Sequence, residues 1–103
     1  MAGKRDIAKV KKALLDGLKE FAPEVIIERS LNNSYLYIRV ISDAFEKYHD
    51  MQRMEMVGEV LYKALAGDAI YPTIISVLPL TKAEYEEWYA QSLQAFHDEK
   101  YNG

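Results

Sequence analysis

The chain of 103 residues contains no cysteine. This absence excludes disulfide bonds, thiolate metal sites and a cysteine nucleophile supplied by this chain. Small secreted domains are usually stabilised by disulfides, so we expect a reducing compartment, the cytoplasm. No apolar run approaches the roughly 20 residues that a membrane-spanning helix needs, and the N-terminal residues do not have the pattern of a signal peptide. The sequence therefore predicts a cytoplasmic protein without a membrane partner.

Glycine and histidine are also scarce, and both shortages bear on catalysis. The five glycines are scattered and do not form the spacing of a dinucleotide- or phosphate-binding loop. His49 and His97 stand in separate segments, whereas a zinc site needs three or four convergent ligands. No serine has the flanking residues of a nucleophile elbow. We therefore predict no catalytic residues, no metal ligands and no cofactor. We expect the protein to act by binding another molecule.

The apolar content is sufficient for a hydrophobic core. Half of the residues are apolar, and there is no repeat, low-complexity segment or linker, so we expect residues 1–103 to form one domain. The net charge of −3 conceals an asymmetry, because residues 1–19 hold six Lys/Arg and two Asp. This basic segment is interpreted either as a solvated helix face or as a small patch for phosphate or an acidic partner.

Hydrophobic spacing predicts one helix and a hairpin in the first part of the chain. Apolar residues recur every three or four positions over residues 6–21, which predicts a helix with Asp6 as its N-cap. Residues 24–29 and 35–41 have the composition of strands. The asparagine-rich residues 31–34 between them favour a turn.

The second part of the chain predicts a helix, a strand and another helix. Residues 50–65 form the predicted second helix, with Asp50 as its N-cap. Residues 73–78 form a strand between two prolines. The third helix begins with a capping box at Thr81 and is predicted to reach about Phe96. The expected core stripe of the second helix consists of Met51, Met54, Val57, Leu61 and Leu65.

These elements predict an α+β fold in the order α-β-β-α-β-α, with a three-stranded mixed sheet and the helices on one face. Alternation along strand 35–41 turns Tyr35, Tyr37 and Arg39 toward the other face. Aromatic side chains on a sheet can stack on bases and arginine can neutralise a phosphate, so these three residues are candidates for nucleic-acid binding. The alternative is ordinary cross-strand packing.

A segment in the middle of the chain resembles the BolA-like family. The sequence Tyr37-Ile-Arg-Val-Ile-Ser-Asp-Ala-Phe-Glu46 resembles the family's strand and the Ser-x-x-Phe element that follows it, with Ser42 and Phe45 at the matching positions. Arg53 matches the arginine of the Arg-His pair that opens the family's next helix, and Glu87-Trp88 is similar to the family's C-terminal motif. The resemblance spans about residues 7–88 and implies a fold related to the type II KH fold.

The resemblance implies a regulatory protein-binding module in iron–sulfur or stress-response physiology. In typical members the histidine of the Arg-His pair helps to bind a [2Fe–2S] cluster shared with a monothiol glutaredoxin, and a second ligand lies in the hairpin loop. Here Met54 takes the place of that histidine, and residues 31–34 contain neither cysteine nor histidine. Methionine is a poor cluster ligand, so we expect the chain to dock a protein partner without binding metal independently.

The predicted partner surface lies after the second strand, because the family motif falls there and because arginine and methionine are enriched at interfaces. Its candidate residues are Ser42, Phe45, Lys47, His49, Arg53 and Met54. The first alternative is a nucleic-acid module of KH-like fold, although the Gly-x-x-Gly loop of KH domains is absent. The second is a structural homodimer joined through the open sheet face. The sequence leaves monomer and homodimer open.

Overall fold

The computed structural model describes residues 4–32 and 34–91. In chain order the main elements are α1 (Lys4–Gly17), β1 (Glu24–Arg29), β2 (Leu36–Ile41), α2 (Asp50–Leu65) and β3 (Ile74–Leu80). A third helix, α3, begins at residue 82 and is described to residue 91. The predicted α+β class and element order are confirmed. None of the described helices is long and apolar enough to cross a bilayer.

The sheet is mixed, as predicted, with the strand order β1-β2-β3. β1 and β2 are antiparallel, and β2 and β3 are parallel. A short turn can join antiparallel strands, whereas parallel neighbours need a crossover, which α2 provides. Val25 lies opposite Val40 and Ile27 opposite Ile38. Directly opposed residues share a face, so these four side chains form one apolar surface.

α1 and α2 cover this apolar surface and close the core. α1 ends at Gly17, four residues before the predicted end at residue 21, and Lys19–Phe21 form a 3-10 turn instead. The predicted apolar face is confirmed, because Val10 and Leu14 of α1 and Leu18 just after it are buried. α1 begins before Asp6, which lies in its first turn, so Asp6 is not the predicted N-cap. The core consists of Val10, Leu14, Leu18, Val25, Leu36, Ile38, Val40, Phe45, Val57, Leu61, Leu65 and Ile70.

The predicted core stripe of α2 is wrong at its N-terminal end. The buried residues follow a spacing of four, beginning with Arg53 and continuing through Val57 to Leu65. Met51 and Met54 are instead 71% and 46% exposed. A polar residue takes the first buried position because its guanidinium finds several acceptors there, which a methionine side chain could not satisfy.

The N-cap of α2 is His49, one residue before the predicted Asp50. Its Nδ1 accepts a hydrogen bond from the amide of Gln52 at 3.4 Å, and its own amide donates to Gln52 Oε1 at 3.1 Å. The two residues form a capping box, which satisfies two amides that the helix leaves without partners. Asp50 lies in the first turn, where a carboxylate interacts favourably with the helix dipole.

β3 continues past the proline that was predicted to end it, so Pro79 lies inside the strand. Because β3 is at the edge of the sheet, the missing amide of a proline leaves no sheet hydrogen bond unmade. The carbonyl oxygen of Pro79 lies 3.5 Å from Nη1 of Arg53. The edge of β3 is therefore partly closed by α2.

α3 lies against the second face of the sheet. The guanidinium of Arg39 lies 4.2 Å from the centre of the Trp88 ring, and the Tyr85 ring stacks on Trp88 with centroids 6.2 Å apart. Ile41, on the same face as Arg39, is only 2% exposed. The predicted one-sided arrangement thus holds for α1 and α2 but not for α3. The predicted helical position Phe96 lies outside the described residues.

Two glycines of the helices have contrasting surroundings. A Cβ on Gly17 would collide with Cγ1 of Val60, so Gly17 permits the close contact between α1 and α2. A Cβ on Gly58 would meet no atom within 4 Å. A glycine in a helix interior costs about 1 kcal/mol relative to alanine, and the contacts among residues 4–32 and 34–91 give no reason for it at Gly58.

Candidate functional site

Ser42 shapes the segment that leads from β2 to α2. Its hydroxyl donates to the carbonyl oxygen of Phe21 at 2.6 Å and accepts from the amide of Ala44 at 3.2 Å. Its amide donates to the carbonyl oxygen of Leu80. With 5% of its surface exposed, Ser42 caps the short 3-10 helix Asp43–Lys47 and cannot contact a partner through its side chain.

Phe45 anchors the same 3-10 helix in the core. Its side chain is fully buried, and its ring lies 5.1 Å from the ring of Phe21. Truncating a buried phenylalanine typically costs about 3–5 kcal/mol. The Ser-x-x-Phe element therefore fixes the position of the loop from beneath.

Arg53 connects the loop to three other elements. Its Nε donates to the carbonyl oxygens of Phe45 (2.9 Å) and Tyr48 (2.8 Å). Its Nη1 donates to Oε1 of Glu84 at 2.6 Å and is 3.5 Å from the carbonyl oxygen of Pro79. Because these acceptors satisfy the charge, the residue can be 5% exposed without the penalty of an unpaired buried ion.

Glu84 completes this network from α3. Its Oε1 accepts from the amide of Thr81 at 2.8 Å, and its own amide donates to Thr81 Oγ1 at 3.2 Å, so the predicted capping box is confirmed. The Thr81 amide, and to a smaller extent Arg53, holds the pKa of the Glu84 carboxyl below its usual value, against an opposing effect of partial burial. The carboxylate thus joins the start of α3 to the start of α2.

The outer surface of this frame carries exposed side chains at the beginning of α2. We call this surface the α2 tip and define it by Lys47, His49, Met51 and Met54, which are all exposed. Of the six predicted partner residues, Lys47, His49 and Met54 belong to the tip, whereas Ser42, Phe45 and Arg53 support it from within. This placement revises the prediction that all six side chains contact a partner.

The sequence predicted Met51 in the core because its side chain is apolar, whereas the structure exposes it. The buried row of α2 is the one with a spacing of four, from Arg53 through Val57 and Leu61 to Leu65. An arginine in line with three buried aliphatic residues indicates a buried, hydrogen-bonded guanidinium. Once that row is assigned to the core, Met51 and Met54 must lie outside it.

The possible ligand side chains at the α2 tip do not fit an iron–sulfur cluster. Met54 offers a neutral thioether where a cluster needs thiolate or imidazole. The Nδ1 of His49 accepts the amide of Gln52, so the ring serves as a helix cap. Among residues 4–32 and 34–91, no group of three or more His, Cys, Asp or Glu side chains could hold a metal ion.

The nucleic-acid candidates share a face but are not equally accessible. Tyr35 and Tyr37 are 44% and 38% exposed. The side chain of Arg39 is only 12% exposed, forms an ion pair with Glu28 and lies over the ring of Trp88. Arg39 would have to leave both contacts to neutralise a phosphate. The open sheet face expected for nucleic acid or for a homodimer is therefore partly occupied by α3.

An open groove of about 670 Å³ lies between α1 and α2, away from the α2 tip. Met56, Val60 and Ala13 supply its apolar lining, with charged side chains at the margin. Small-molecule sites usually combine an enclosed apolar cavity with convergent polar groups. This groove is open and lacks such a group, so its geometry does not indicate a small-molecule site.

Comparison with known proteins supports the fold. No protein-family model and no curated protein sequence matches this chain. The solved structure of BolA1 from Arabidopsis thaliana matches 75% of this chain and 92% of its own, with a TM-score of 0.55 and 19% identity. The BolA domain of SufE1 from Arabidopsis thaliana matches 82% of this chain and 99% of its own, with a TM-score of 0.57 and 21% identity.

The chain therefore has a BolA-like fold, as the sequence resemblance predicted. At identities of 19% and 21%, this similarity concerns the fold, and a fold alone does not determine function. The function therefore has to be inferred from the residues of the site.

Proposed function

We propose that this chain is a non-enzymatic binding module that docks a protein partner on the α2 tip. The observation that carries the proposal is the contrast around Arg53. Four acceptors hold its buried guanidinium, whereas the two methionines that flank it, Met51 and Met54, are exposed. A rigid frame beneath exposed apolar side chains is the construction that protein recognition favours.

The two methionines supply the apolar contact area. Met51 is 71% exposed and Met54 is 46% exposed, and they lie one helical turn apart. Methionine is flexible and polarisable, so it adapts to the shape of a partner surface. Lys47 and His49 add polar groups at the margin of this apolar area. The arrangement matches an interface with an apolar centre and a polar rim.

A monothiol glutaredoxin is the first partner to test, because the resemblance to the BolA-like family implies it. The resemblance also suggests a role in iron–sulfur or stress-related regulation. In this proposal the partner contacts Met54 by packing, since the thioether does not replace the family's histidine as a cluster ligand. Binding then regulates the partner by occupying its surface.

The docking site can be tested by NMR titration of the ¹⁵N-labelled chain with apo monothiol glutaredoxin. We expect shift changes at residues 47–54. Met54→Glu should weaken binding about tenfold or more, because a charge replaces a central apolar contact. Ala8→Glu, at an exposed position on α1, is the matched control and should bind like the parent chain.

A partner outside the glutaredoxin class can be sought with the same variants in extracts of the native host. The proposal predicts a protein that the parent chain and Ala8→Glu retain and that Met54→Glu loses. It is wrong if glutaredoxin does not bind and no retained protein shows this dependence.

Anaerobic reconstitution tests the expectation about the metal. We expect that iron–sulfur cluster absorption in a mixture with a monothiol glutaredoxin does not depend on this chain. If an absorption band requires the chain and is lost in His49→Ala or Met54→Ala, these side chains bind the cluster and the metal-free mode of docking is incorrect.

A further inference from the structure

The methionines of this chain are concentrated in the first half of α2. Three of the four, Met51, Met54 and Met56, stand within six consecutive residues of the helix. The chain contains no cysteine, so thioethers are its only sulfur groups. A thioether is oxidised to a sulfoxide, and enzymes reduce the sulfoxide back to the thioether. The start of α2 therefore holds most of the reversible sulfur chemistry that this chain can undergo.

The three methionines differ in their access to solvent. Met51 is 71% exposed and Met54 is 46% exposed. Met56 is partly buried, packs against the core and lines the groove between α1 and α2. An oxidant has to contact the sulfur atom, so the two exposed thioethers should react first. Met56 provides a comparison within the same helix.

We propose that Met51 and Met54 form a modification site for hydrogen peroxide, and that their conversion to methionine sulfoxide prevents docking on the α2 tip. In each reaction the sulfur lone pair attacks one oxygen of hydrogen peroxide, so an S–O bond forms while the O–O bond breaks. The sulfur loses two electrons and the departing oxygen gains them. This oxygen takes both peroxide protons and leaves as water.

The fold tolerates this modification because neither methionine belongs to the core. The buried row of α2 runs from Arg53 through Val57 to Leu65, on another side of the helix from the two exposed thioethers. Water can hydrate a sulfoxide oxygen on Met51 or Met54, so oxidation does not bury a polar atom without a partner. The hydrogen bonds of Arg53 that fix the loop remain in place. Oxidation thus changes the chemistry of a surface and leaves its frame intact.

The effect on docking rests on the proposed function, in which the two thioethers form the apolar centre of the α2 tip. Oxidation converts this flexible apolar side chain into a polar one. A partner surface that fits an apolar side chain has no donor for the sulfoxide oxygen, which then loses its water without compensation. Peroxide therefore releases the partner, and reduction of the sulfoxides restores docking.

The selectivity of oxidation can be measured on the purified chain alone. Peptide mapping by mass spectrometry after exposure to dilute hydrogen peroxide should show Met56 oxidised about tenfold more slowly than Met51 and Met54, because close packing restricts access to it. The melting temperature of the chain oxidised at the two exposed positions should fall by less than about 4 °C, as expected for a change at the surface.

The consequence for docking can be measured by NMR titration with apo monothiol glutaredoxin, after the peroxide has been removed. The oxidised parent chain should bind about tenfold or more weakly than the untreated chain. Treatment with the two methionine sulfoxide reductases, one for each sulfoxide epimer, and a dithiol should restore the affinity.

Two variants assign the effect to the exposed pair. Met56→Leu retains both exposed methionines, so peroxide should weaken its binding as much as that of the parent chain. The double variant with Met51→Leu and Met54→Leu still contains Met56. Its affinity, compared with that of its own untreated form, should not change after peroxide treatment.

The inference is overturned if Met51 and Met54 are oxidised no faster than Met56. It is also overturned if the oxidised parent chain binds as tightly as the untreated one, or if peroxide weakens binding of the double leucine variant as much as that of the parent. If the untreated parent chain binds no partner, the proposed function fails and the effect on docking fails with it, whereas the oxidation rates still decide whether the modification site exists.

Discussion

Arg53 illustrates at the residue scale how a buried charge can determine the shape of an exposed surface. Its guanidinium reaches Phe45 and Tyr48 in the loop, and Glu84 at the start of α3. Each acceptor is bound by a charged donor, which makes a stronger hydrogen bond than a neutral one. The exposed methionines on either side of Arg53 therefore project from a fixed backbone.

We expect Arg53→Ala to lower the free energy of unfolding by about 2–4 kcal/mol, because several buried or partly buried acceptors lose their donor. Urea denaturation measures this change. Arg29→Ala removes an exposed arginine and should change stability by less than about 0.5 kcal/mol. If the two variants are equally stable, Arg53 does not hold the loop in place.

Glu84 makes stability depend on pH with a defined sign. Hydrogen bonds from the Thr81 amide, and then from Arg53, hold its pKa below the usual value of 4.5. A lowered pKa in the folded state gives stability that is present above the unfolded pKa and is lost as pH falls through the folded pKa. Glu84→Gln should therefore lower the urea midpoint at neutral pH, with a difference that shrinks below pH 4.5. The same difference at all pH values would contradict this assignment.

At the scale of elements, the two helical glycines should respond in opposite ways to the same substitution. Gly17→Ala places a methyl against Val60 and should cost about 1–3 kcal/mol through overpacking. Gly58→Ala meets no atom within 4 Å in the described part of the chain and should stabilise the protein by about 0.5–1 kcal/mol. Thermal unfolding of both variants measures the contrast.

Val60→Ala provides the control for Gly17. In the double variant, the smaller side chain should leave room for the added methyl, so the combined cost should be less than the sum of the two single costs. Additive costs would show that Gly17 is required for another reason than its contact with Val60.

At the scale of the whole molecule, α3 joins the second sheet face to the rest of the domain. Trp88 is the only tryptophan, and it lies over Arg39 of β2, so its fluorescence reports the docking of α3. We expect tryptophan fluorescence and far-UV circular dichroism to give the same urea midpoint, because one cooperative unit loses both faces together. An earlier fluorescence transition would show that α3 detaches independently.

The sequence was informative wherever a local pattern decides the structure. The spacing of Ile7, Val10 and Leu14 identified α1, and the alternation in β2 identified the residues of each sheet face. The Thr81–Glu84 capping box was readable because both partners lie within one turn of α3. The resemblance carried by Ser42 and Phe45 led to the correct fold, although it placed these buried residues on a surface.

The sequence by itself determined the kinds and order of the elements, because hydrogen-bonding geometry in a helix or strand sets the period of its apolar residues. Only the tertiary structure decided that Arg53, and not Met51 or Met54, is buried at the start of α2, and where α3 lies. Arg53 is buried because Phe45, Pro79 and Glu84 bring acceptors to it from distant parts of the chain. Contacts of this kind depend on chain folding that brings remote residues together, so local spacing could align Arg53 with the buried row of α2 but could not supply the acceptors that keep it buried.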